Sequence, residues 1–310
     1  MAFDVSTLTA YVDQTKEPLI GKTILSSKTA KMLTLQTGVK NQTALNLLES
    51  TTVLQDGSDC GFSAQGTNKL SQRLITGKPV KVNKEFCDKT LLKYWKGYDV
   101  KVAAGTATLP FEEELIANEI ALVGEAIEKG IWQGNVSLTG ATNLKQFDGL
   151  IKIFDAAAGV IDASNVGITS VTKSNAMQIV ENIYSAIPAA VLTKTDVKIF
   201  CGMDFFRTYT LALVAANLYH YTSGSAEADS MELVIPGTSI TLVAVPGLNG
   251  TNRLFAFSLS NVFYGTDLEG DEEEFDMWYS KDSKIFKLDI EFVVGVQVAY
   301  PDEVVSFILA

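Results

Sequence analysis

The sequence is poor in the residues that form metal, redox and acid–base centres. Its 310 residues include one histidine, His220, and three cysteines, Cys60, Cys87 and Cys201. The cysteines lie far apart and none belongs to a C-x-x-C pair, so their spacing predicts neither a zinc knuckle nor a redox pair. An odd number of widely spaced cysteines is typical of a reducing compartment, and we expect the chain to fold in a cytoplasm-like environment.

Long apolar runs and clusters of positive charge are also missing. No apolar stretch approaches the roughly 18 residues of a membrane span, and residues 1–20 lack a basic flank followed by an apolar core, so we predict no membrane partner. The net charge of -11 would repel a nucleic acid on average. The densest basic stretch, residues 78–96, is interrupted by Glu85 and Asp88 and is typical of a solvated surface. Composition therefore argues against DNA recognition.

Each candidate nucleophilic or nucleotide-binding motif has a simpler structural explanation. Gly21, Lys22 and Thr23 resemble the end of a phosphate-binding loop, but such a loop needs a glycine five residues earlier, where Lys16 stands. The single histidine, His220, has no cysteine or acidic residue at ligand spacing, and any Ser-His-Asp or Cys-His mechanism would depend on it. These motifs predict no catalytic activity.

Two acidic groups are the remaining candidates for chemistry. Glutamates 112–114, with Glu113 as the acid of a hydrolase, are already explained by the preference of carboxylates for the first turn of a helix. A second group could hold a divalent cation but does not follow the calcium-loop spacing, and consists of Asp267, Glu269, Asp271, Glu272, Glu273, Glu274 and Asp276. We expect no enzyme, with no catalytic, cofactor-binding or metal-binding residues and no cofactor. Whether the acidic run binds a cation stays open.

The strongest secondary-structure signal is a long amphipathic helix after residue 108. Thr108 as the cap, Pro110 in the first turn and glutamates 112–114 favour a helix N-terminus. Lys129 and Gly130 predict its end. A helix of about twenty residues is about 30 Å long. One face is predicted to pack on a core because apolar residues recur at three-to-four spacing, namely Ile116, Ile120, Val123, Ile127 and Ile131.

The first third of the chain predicts an arm and a hairpin. Residues 1–40 have weak periodicity and indicate an arm that packs on something else. Residues 44–54 and 69–82 have strand patterns, and residues 55–66 between them contain three glycines. We therefore predict a long hairpin whose tip, which includes Phe62, adds little to its own subunit's core.

The remainder combines helices and strands without a regular βαβ repeat. Helices are predicted at 174–186 and 203–217. Strands are predicted at 197–201, 239–245 and 253–259. Apolar and polar residues then alternate from Phe286 to Tyr300, which predicts a strand of about 50 Å, far longer than usual. A long helix and a long strand together indicate a flat, elongated subunit.

Taken in order, these features resemble the major capsid protein of tailed double-stranded DNA bacteriophages over nearly the whole chain. The sequences IWQGN at 131–135 and FDGLI at 147–151 are similar to the glycine turn and following strand that come after that family's long helix. Residues 81–95 and 109–113 look like a branch that infects Bacteroidetes-type hosts. The resemblance implies an α+β, Hong Kong phage-type coat fold with an N-terminal arm, an extended hairpin loop, a peripheral domain with a long spine helix and long β-strands, and an axial domain.

The same resemblance implies a division of the chain into five regions. Two of them form the peripheral domain, whose strands return at the C-terminus. The regions are the N-terminal arm at 1–40, the extended hairpin loop at 41–108, the first part of the peripheral domain at 109–165, the axial domain at 166–265 and the C-terminal peripheral strands at 266–310.

The function implied by the resemblance is structural. The chain would self-assemble into pentamers and hexamers of an icosahedral capsid that encloses double-stranded DNA without sequence-specific recognition. Portal and scaffolding or decoration proteins are the implied partners. The implied location is the virion, with the host cytoplasm during assembly. The alternatives are an encapsulin-like compartment shell, a β-rich phage tail or surface binding protein, and a carboxylate hydrolase.

Overall fold

Two β-sheets and a long helix form the body of the molecule, and a two-stranded hairpin extends from it. Among the described residues, no helix is long and apolar enough to cross a membrane. The candidates Gly21, Lys22, His220 and the helix cap at Thr108 lie outside the described residues. The computed structural model describes residues 23, 27–56, 62, 64–87, 111–140, 142–164, 168–218, 231–267 and 274–309.

The first sheet is built around the long C-terminal strand, β12. This strand covers Ile285–Val298, and its alternating side chains are buried on one face, so the predicted long strand is confirmed. β4 pairs antiparallel with one edge of β12, while β10 and β11 pair antiparallel with the opposite edge, and β1 adds to β10 in parallel. These partners are β1 (Thr34–Gln36), β4 (Lys78–Cys87), β10 (Val262–Thr266) and β11 (Glu274–Ser280).

The predicted long helix, α2, runs from Phe111 to Gln133 and packs on this sheet. The whole predicted apolar stripe is buried, from Ile116 to Ile131. The predicted end at Gly130 is wrong, because the helix continues for three more residues. A Cβ on Gly130 would lie 2.8 Å from the ring of Phe147, so this glycine permits close packing of that ring instead of ending the helix.

Within the described residues, the second sheet has six strands in the order β5-β13-β9-β6-β8-β7. Helices α4 (Ala176–Ala186), α5 (Ala189–Leu192) and α6 (Met203–Ala215) pack on it and form a second core. The predicted helices and strands of this region are confirmed, with ends shifted by a few residues. The strands are β5 (Ile161–Asp162), β6 (Val197–Cys201), β7 (Glu232–Val234), β8 (Thr241–Ala244), β9 (Arg253–Ser258) and β13 (Val305–Ile308).

The structure departs from the sequence-based expectations at three places, two of strand pairing and one of helix against strand. β13 lies in the second sheet, between β5 and β9, although residues 266–310 were grouped with the long strand. β10 lies in the first sheet, although most of it was grouped with residues 166–265. The strand expected at 147–151 is instead the start of helix α3, Leu150–Ala156, whose Leu150 and Phe154 are buried one helical turn apart. The positions of β10 and β13 depend on pairing with strands that are distant in sequence.

The predicted hairpin is present as β2 (Gln42–Ser50) and β3 (Asn68–Thr76). The second predicted strand, residues 69–82, is not continuous, because it divides at Gly77 into β3 and β4. Among the described strands, β3 pairs only with β2, while β4 pairs with ten residues of β12. Strand β3 is therefore joined to the first sheet through a single residue, Gly77.

Candidate assembly surfaces

One face of the hairpin exposes large apolar side chains. Leu48 lies opposite Leu70, and Ala44 lies opposite Leu74. Because alternate residues of a strand share a face, these four side chains lie on one surface, which we call the outer face. Leu48 is 60% exposed, Leu70 79% and Leu74 50%. Clustered exposed leucines of this kind are typical of a surface that another protein covers.

The far end of the hairpin is closed by two threonines. The Thr51 N–H donates to the Thr67 carbonyl at 2.9 Å, and the Thr67 N–H donates to Thr51 Oγ1 at 2.9 Å. Beyond this closure, Leu54 is 95% exposed and Phe62 97%. The expectation that Phe62 adds little to its own core is confirmed, and Leu54 joins it as a second exposed apolar group.

A groove of about 500 Å³ provides a further apolar surface. It lies between β4, α2 and the residues around Phe147, and its walls include Val82, Leu122 and Ile127. Leu122 is 46% exposed although it belongs to the long helix. Since β4 forms one wall and continues into the hairpin through Gly77, one wall of the groove and one strand of the hairpin belong to the same continuous segment of backbone.

A buried carboxylate holds the segment before β1 against the long helix. Glu128, which is 3% exposed, accepts the Thr29 N–H at 2.8 Å and the Thr29 hydroxyl at 2.5 Å. The Trp132 indole N–H donates to the same hydroxyl at 2.8 Å. Helix α1 (Lys28–Met32) thus packs on its own subunit. The prediction of an arm that packs elsewhere is wrong for these residues, while residues 1–22 lie outside the described part.

The environment of Glu128 makes its ionisation unfavourable. Burial raises the pKa of the Glu128 carboxyl, and this outweighs the opposing hydrogen bonds from Thr29 and Ser27 and the nearby charge of Lys28. Burial also lowers the pKa of Lys28, whose ammonium donates to the Ala244 carbonyl at 3.1 Å. A raised carboxyl pKa means that the folded chain binds this proton more tightly than the unfolded chain. The contribution of Glu128 to stability therefore falls as pH rises above its ordinary pKa.

Glu128→Gln is expected to gain stability relative to the unchanged chain as pH rises from about 4.5 to 7. The amide oxygen can still accept the Thr29 N–H, and the amide never ionises. Each unit by which burial raises the pKa of the Glu128 carboxyl corresponds to about 1.4 kcal/mol in the free energy of unfolding. Urea unfolding followed by circular dichroism at several pH values measures the difference between the two chains.

The matched control for this titration is Glu125→Gln, one turn away on the same helix. Its hydrogen bond with Lys129 lowers the pKa of the exposed Glu125 carboxyl. Replacing this carboxyl by an amide should therefore make the variant less stable, relative to the unchanged chain, as pH rises. A Glu128→Gln difference that is constant with pH, or that follows the Glu125→Gln direction, would contradict the assignment.

The other candidate residues are spread over the molecule and are not brought together. Thr23 is buried, and glutamates 112–114 lie in the first turn of α2 as predicted. Of the acidic run, Asp267 is 1% exposed with no hydrogen-bond partner for either oxygen within the described residues, and Asp276 lies opposite Asp289. Residues 268–273 lie outside the described part. In the described ranges, no group of three or more His, Cys, Asp or Glu side chains is placed to hold a metal ion.

Sequence reasoning missed both Glu128 and the leucines of the outer face. Nothing in the helical pattern distinguishes Glu128 from the exposed Glu125 of the same helix, and only its contact with Thr29, 99 positions away, makes it a buried anchor. The adjacent Leu47 and Leu48 carried a usable signal. Neighbouring residues of a strand point to opposite faces, so two consecutive leucines require one of them to point away from the core.

No protein-family model matches the sequence, and no curated protein matches it. Solved structures do match. A chain of the satellite phage P4 procapsid, a structure that includes the size determination (Sid) protein, is 10% identical with a TM-score of 0.62, covering 95% of this chain and 99% of that one. A Gordonia phage Cozz chain is 11% identical with a TM-score of 0.56, covering 92% and 86%.

A third match, from the capsid of Myoviridae phage XM1, is 11% identical with a TM-score of 0.55 and covers 89% of each chain. Each of these matches covers about nine tenths of the chain or more. At such low identity they bear on the backbone arrangement. The chain has the α+β fold of the tailed-phage major capsid proteins.

Proposed function

We propose that the chain is a structural subunit of an icosahedral virus capsid and not an enzyme. Identical copies assemble into pentamers and hexamers, and the closed shell encloses double-stranded DNA. Portal and scaffolding or decoration proteins are its proposed partners. It is found in the virion, and in the host cytoplasm during assembly.

The observation that carries this proposal is the exposed outer face of a hairpin joined to a capsid-type fold. Leu48, Leu70 and Leu74 are at least half exposed, and Leu54 and Phe62 are almost fully exposed. Burying one such side chain contributes roughly 1.5 to 3 kcal/mol, so a monomer that leaves all of them in water forgoes a large stabilisation. In a closed symmetric assembly of identical copies, every copy buries these side chains against a neighbour, so each contributes this stabilisation.

The charge of the chain fits an enclosing role better than a DNA-binding one. With a net charge of -11, the shell has no general attraction for the phosphate backbone. DNA would be retained because the shell is closed, and the protein would not need to recognise its sequence. The salt dependence of DNA binding by isolated subunits should accordingly be small.

The purified chain is expected to form pentamers, hexamers or closed shells as its concentration rises. Sedimentation velocity and light scattering would measure the assembly, and electron microscopy would identify its symmetry. A chain that stays monomeric across protein concentration, salt and crowding, with no particles in the microscope, would contradict the proposal. Discrete trimers would instead favour a tail or surface protein.

Material copurifying with shells from the native source separates the two shell functions. DNA inside the particles is expected for a virus capsid. An enzyme cargo without DNA would favour an encapsulin-like compartment. A carboxylate hydrolase would instead show a hydrolytic activity that Glu113→Gln abolishes.

Two finer assignments belong to the same proposal. The division into an arm, a hairpin loop, a peripheral domain and an axial domain is proposed with β10 moved to the peripheral part and β13 to the axial part, following their strand pairing. The placement in a branch that infects Bacteroidetes-type hosts depends only on the sequence of residues 81–95 and 109–113. Isolating the particle with its host would test it.

A further inference from the structure

The base of the hairpin lies across two facing glycines of the first sheet. Gly265 of β10 and Gly295 of β12 lie directly opposite each other, so the sheet has no side chain on either strand at this point. A Cβ on Gly265 would lie 2.7 Å from Ile75 Cδ1, closer than real Cβ contacts. A Cβ on Gly295 would overlap the carbonyl oxygen of Thr76. The last two residues of β3 therefore rest directly on the backbone of the sheet.

A third glycine completes this contact. Gly77 joins β3 to β4, and a Cβ on it would lie 2.7 Å from Val293 Cγ1 and 2.9 Å from the Val39 carbonyl oxygen. Val39, Leu45 and Ile75 form a small separate core at this point, and Val39 and Ile75 have no exposed surface. The hairpin thus has its own packed base, distinct from the cores under the two sheets.

Hydrogen bonds on both sides of the glycines fix the hairpin further. The Gln297 side-chain amide donates to the Leu74 carbonyl at 2.8 Å, and the Arg73 guanidinium donates to the Val298 carbonyl at 3.1 Å. The Gly77 N–H donates to the Asn41 carbonyl at 2.8 Å. The first two bonds tie β3 to β12 in addition to the covalent connection, and the third closes the base of the hairpin.

We propose that Gly77, Gly265 and Gly295 form a seat that sets the direction in which the hairpin leaves the body, and that this direction sets the curvature of the assembled shell. The inference depends on the proposed assembly function and adds to it the residues that determine its geometry. The three glycines position the hairpin, while the outer-face leucines make the contact with the neighbouring copy.

The length of the hairpin explains why its base matters. Nine residues per strand extend about 30 Å, so a tilt of about 10° at the seat displaces the far end by about 5 Å. Such a displacement exceeds the tolerance of a packed apolar contact, because interiors are dense and do not deform continuously. Neighbouring subunits would have to meet at another angle, or would fail to meet.

Gly295→Ala tests the seat at its tightest point. Spin labels on cysteines introduced at Glu49 and Lys281, in a chain whose three native cysteines are replaced by alanine, report the hairpin direction by pulsed electron resonance. The measurement uses the unassembled subunit. We expect a shift or broadening of about 5 Å in the distance between the labels. We further expect shells of altered diameter, open sheets or tubes in the electron microscope.

Val296→Ala is the matched control on the adjacent residue. Val296 faces the opposite side of the sheet and belongs to the core under α2, so its truncation weakens the body without touching the seat. It should leave both the label distance and the shell diameter unchanged. If Gly295→Ala fails to fold, Gly265→Ala replaces it, and Ile75→Val in the same chain should restore both readouts by removing the Cδ1 that the new methyl meets.

The outcomes of the two measurements separate this inference from the proposed function. An unchanged label distance in the glycine variant overturns the seat, whatever happens to assembly. A changed distance with shells of normal diameter overturns its control of curvature. If the unchanged chain forms no particles at all, the proposed function fails and the claim about curvature is overturned with it, while the label distance still decides whether the glycines set the hairpin direction.

Discussion

A chain in which residues 55–66 are replaced by a short Gly–Ser linker is expected to fold normally but to form no shells at concentrations where the unchanged chain assembles. Thr51 and Thr67 close the hairpin before this segment, so β2 and β3 keep their pairing. The replacement removes Phe62 and leaves the body untouched. Each lost apolar contact is worth roughly 1.5 to 3 kcal/mol. The concentration needed for assembly should therefore rise at least about tenfold, since 1.4 kcal/mol corresponds to a factor of ten.

Circular dichroism and sedimentation velocity together measure this result. The first should report unchanged secondary structure and the second only small species. Val136→Ser is a matched control, because Val136 is 48% exposed but lies in the turn after α2, away from the hairpin. It should assemble like the unchanged chain. Normal shells from the chain with the replaced loop would show that the hairpin end makes no essential contact.

Trp132→Ala should produce the largest loss of stability, about 3 to 5 kcal/mol. Trp132 is fully buried, and its ring centroid lies 5.4 Å from that of Phe200 and 6.0 Å from that of Phe255. Both phenylalanines belong to strands of the second sheet, while Trp132 belongs to the helix that covers the first. Removing the ring opens a cavity between α2 and the second sheet. It also removes the indole N–H that donates to Thr29.

Urea unfolding of the unassembled subunit measures this loss. Trp278→Ala is the matched control, since Trp278 is 44% exposed at the surface of β11, and we expect it to change the free energy of unfolding by less than about 1 kcal/mol. Trp132→Phe should fall between the two. A Trp132→Ala effect no larger than that of Trp278→Ala would contradict the role of Trp132 in joining the layers.

The long helix and the long strand could be predicted because their signals are local. Ile116 to Ile131 recur at the helical period, and the residues from Phe286 onward alternate at the strand period, so each pattern contains both the element and its buried face. The predicted end of the helix was wrong because a glycine that follows a lysine, as Gly130 follows Lys129, is a common signal for a helix C-terminus. Only the ring of Phe147, packed against its Cα, gives that glycine its actual role.

The sequence by itself determined the long helix, the long strand, the hairpin and several elements of the second sheet, because periodicity is a property of neighbouring residues. The tertiary structure alone decided where β10 and β13 pair, that Glu128 anchors Thr29, and that the hairpin rests on Gly265 and Gly295. Gln297 and Leu74, which hold the hairpin base, are 223 positions apart. Contacts at such separations depend on how whole elements pack, and no local pattern encodes them.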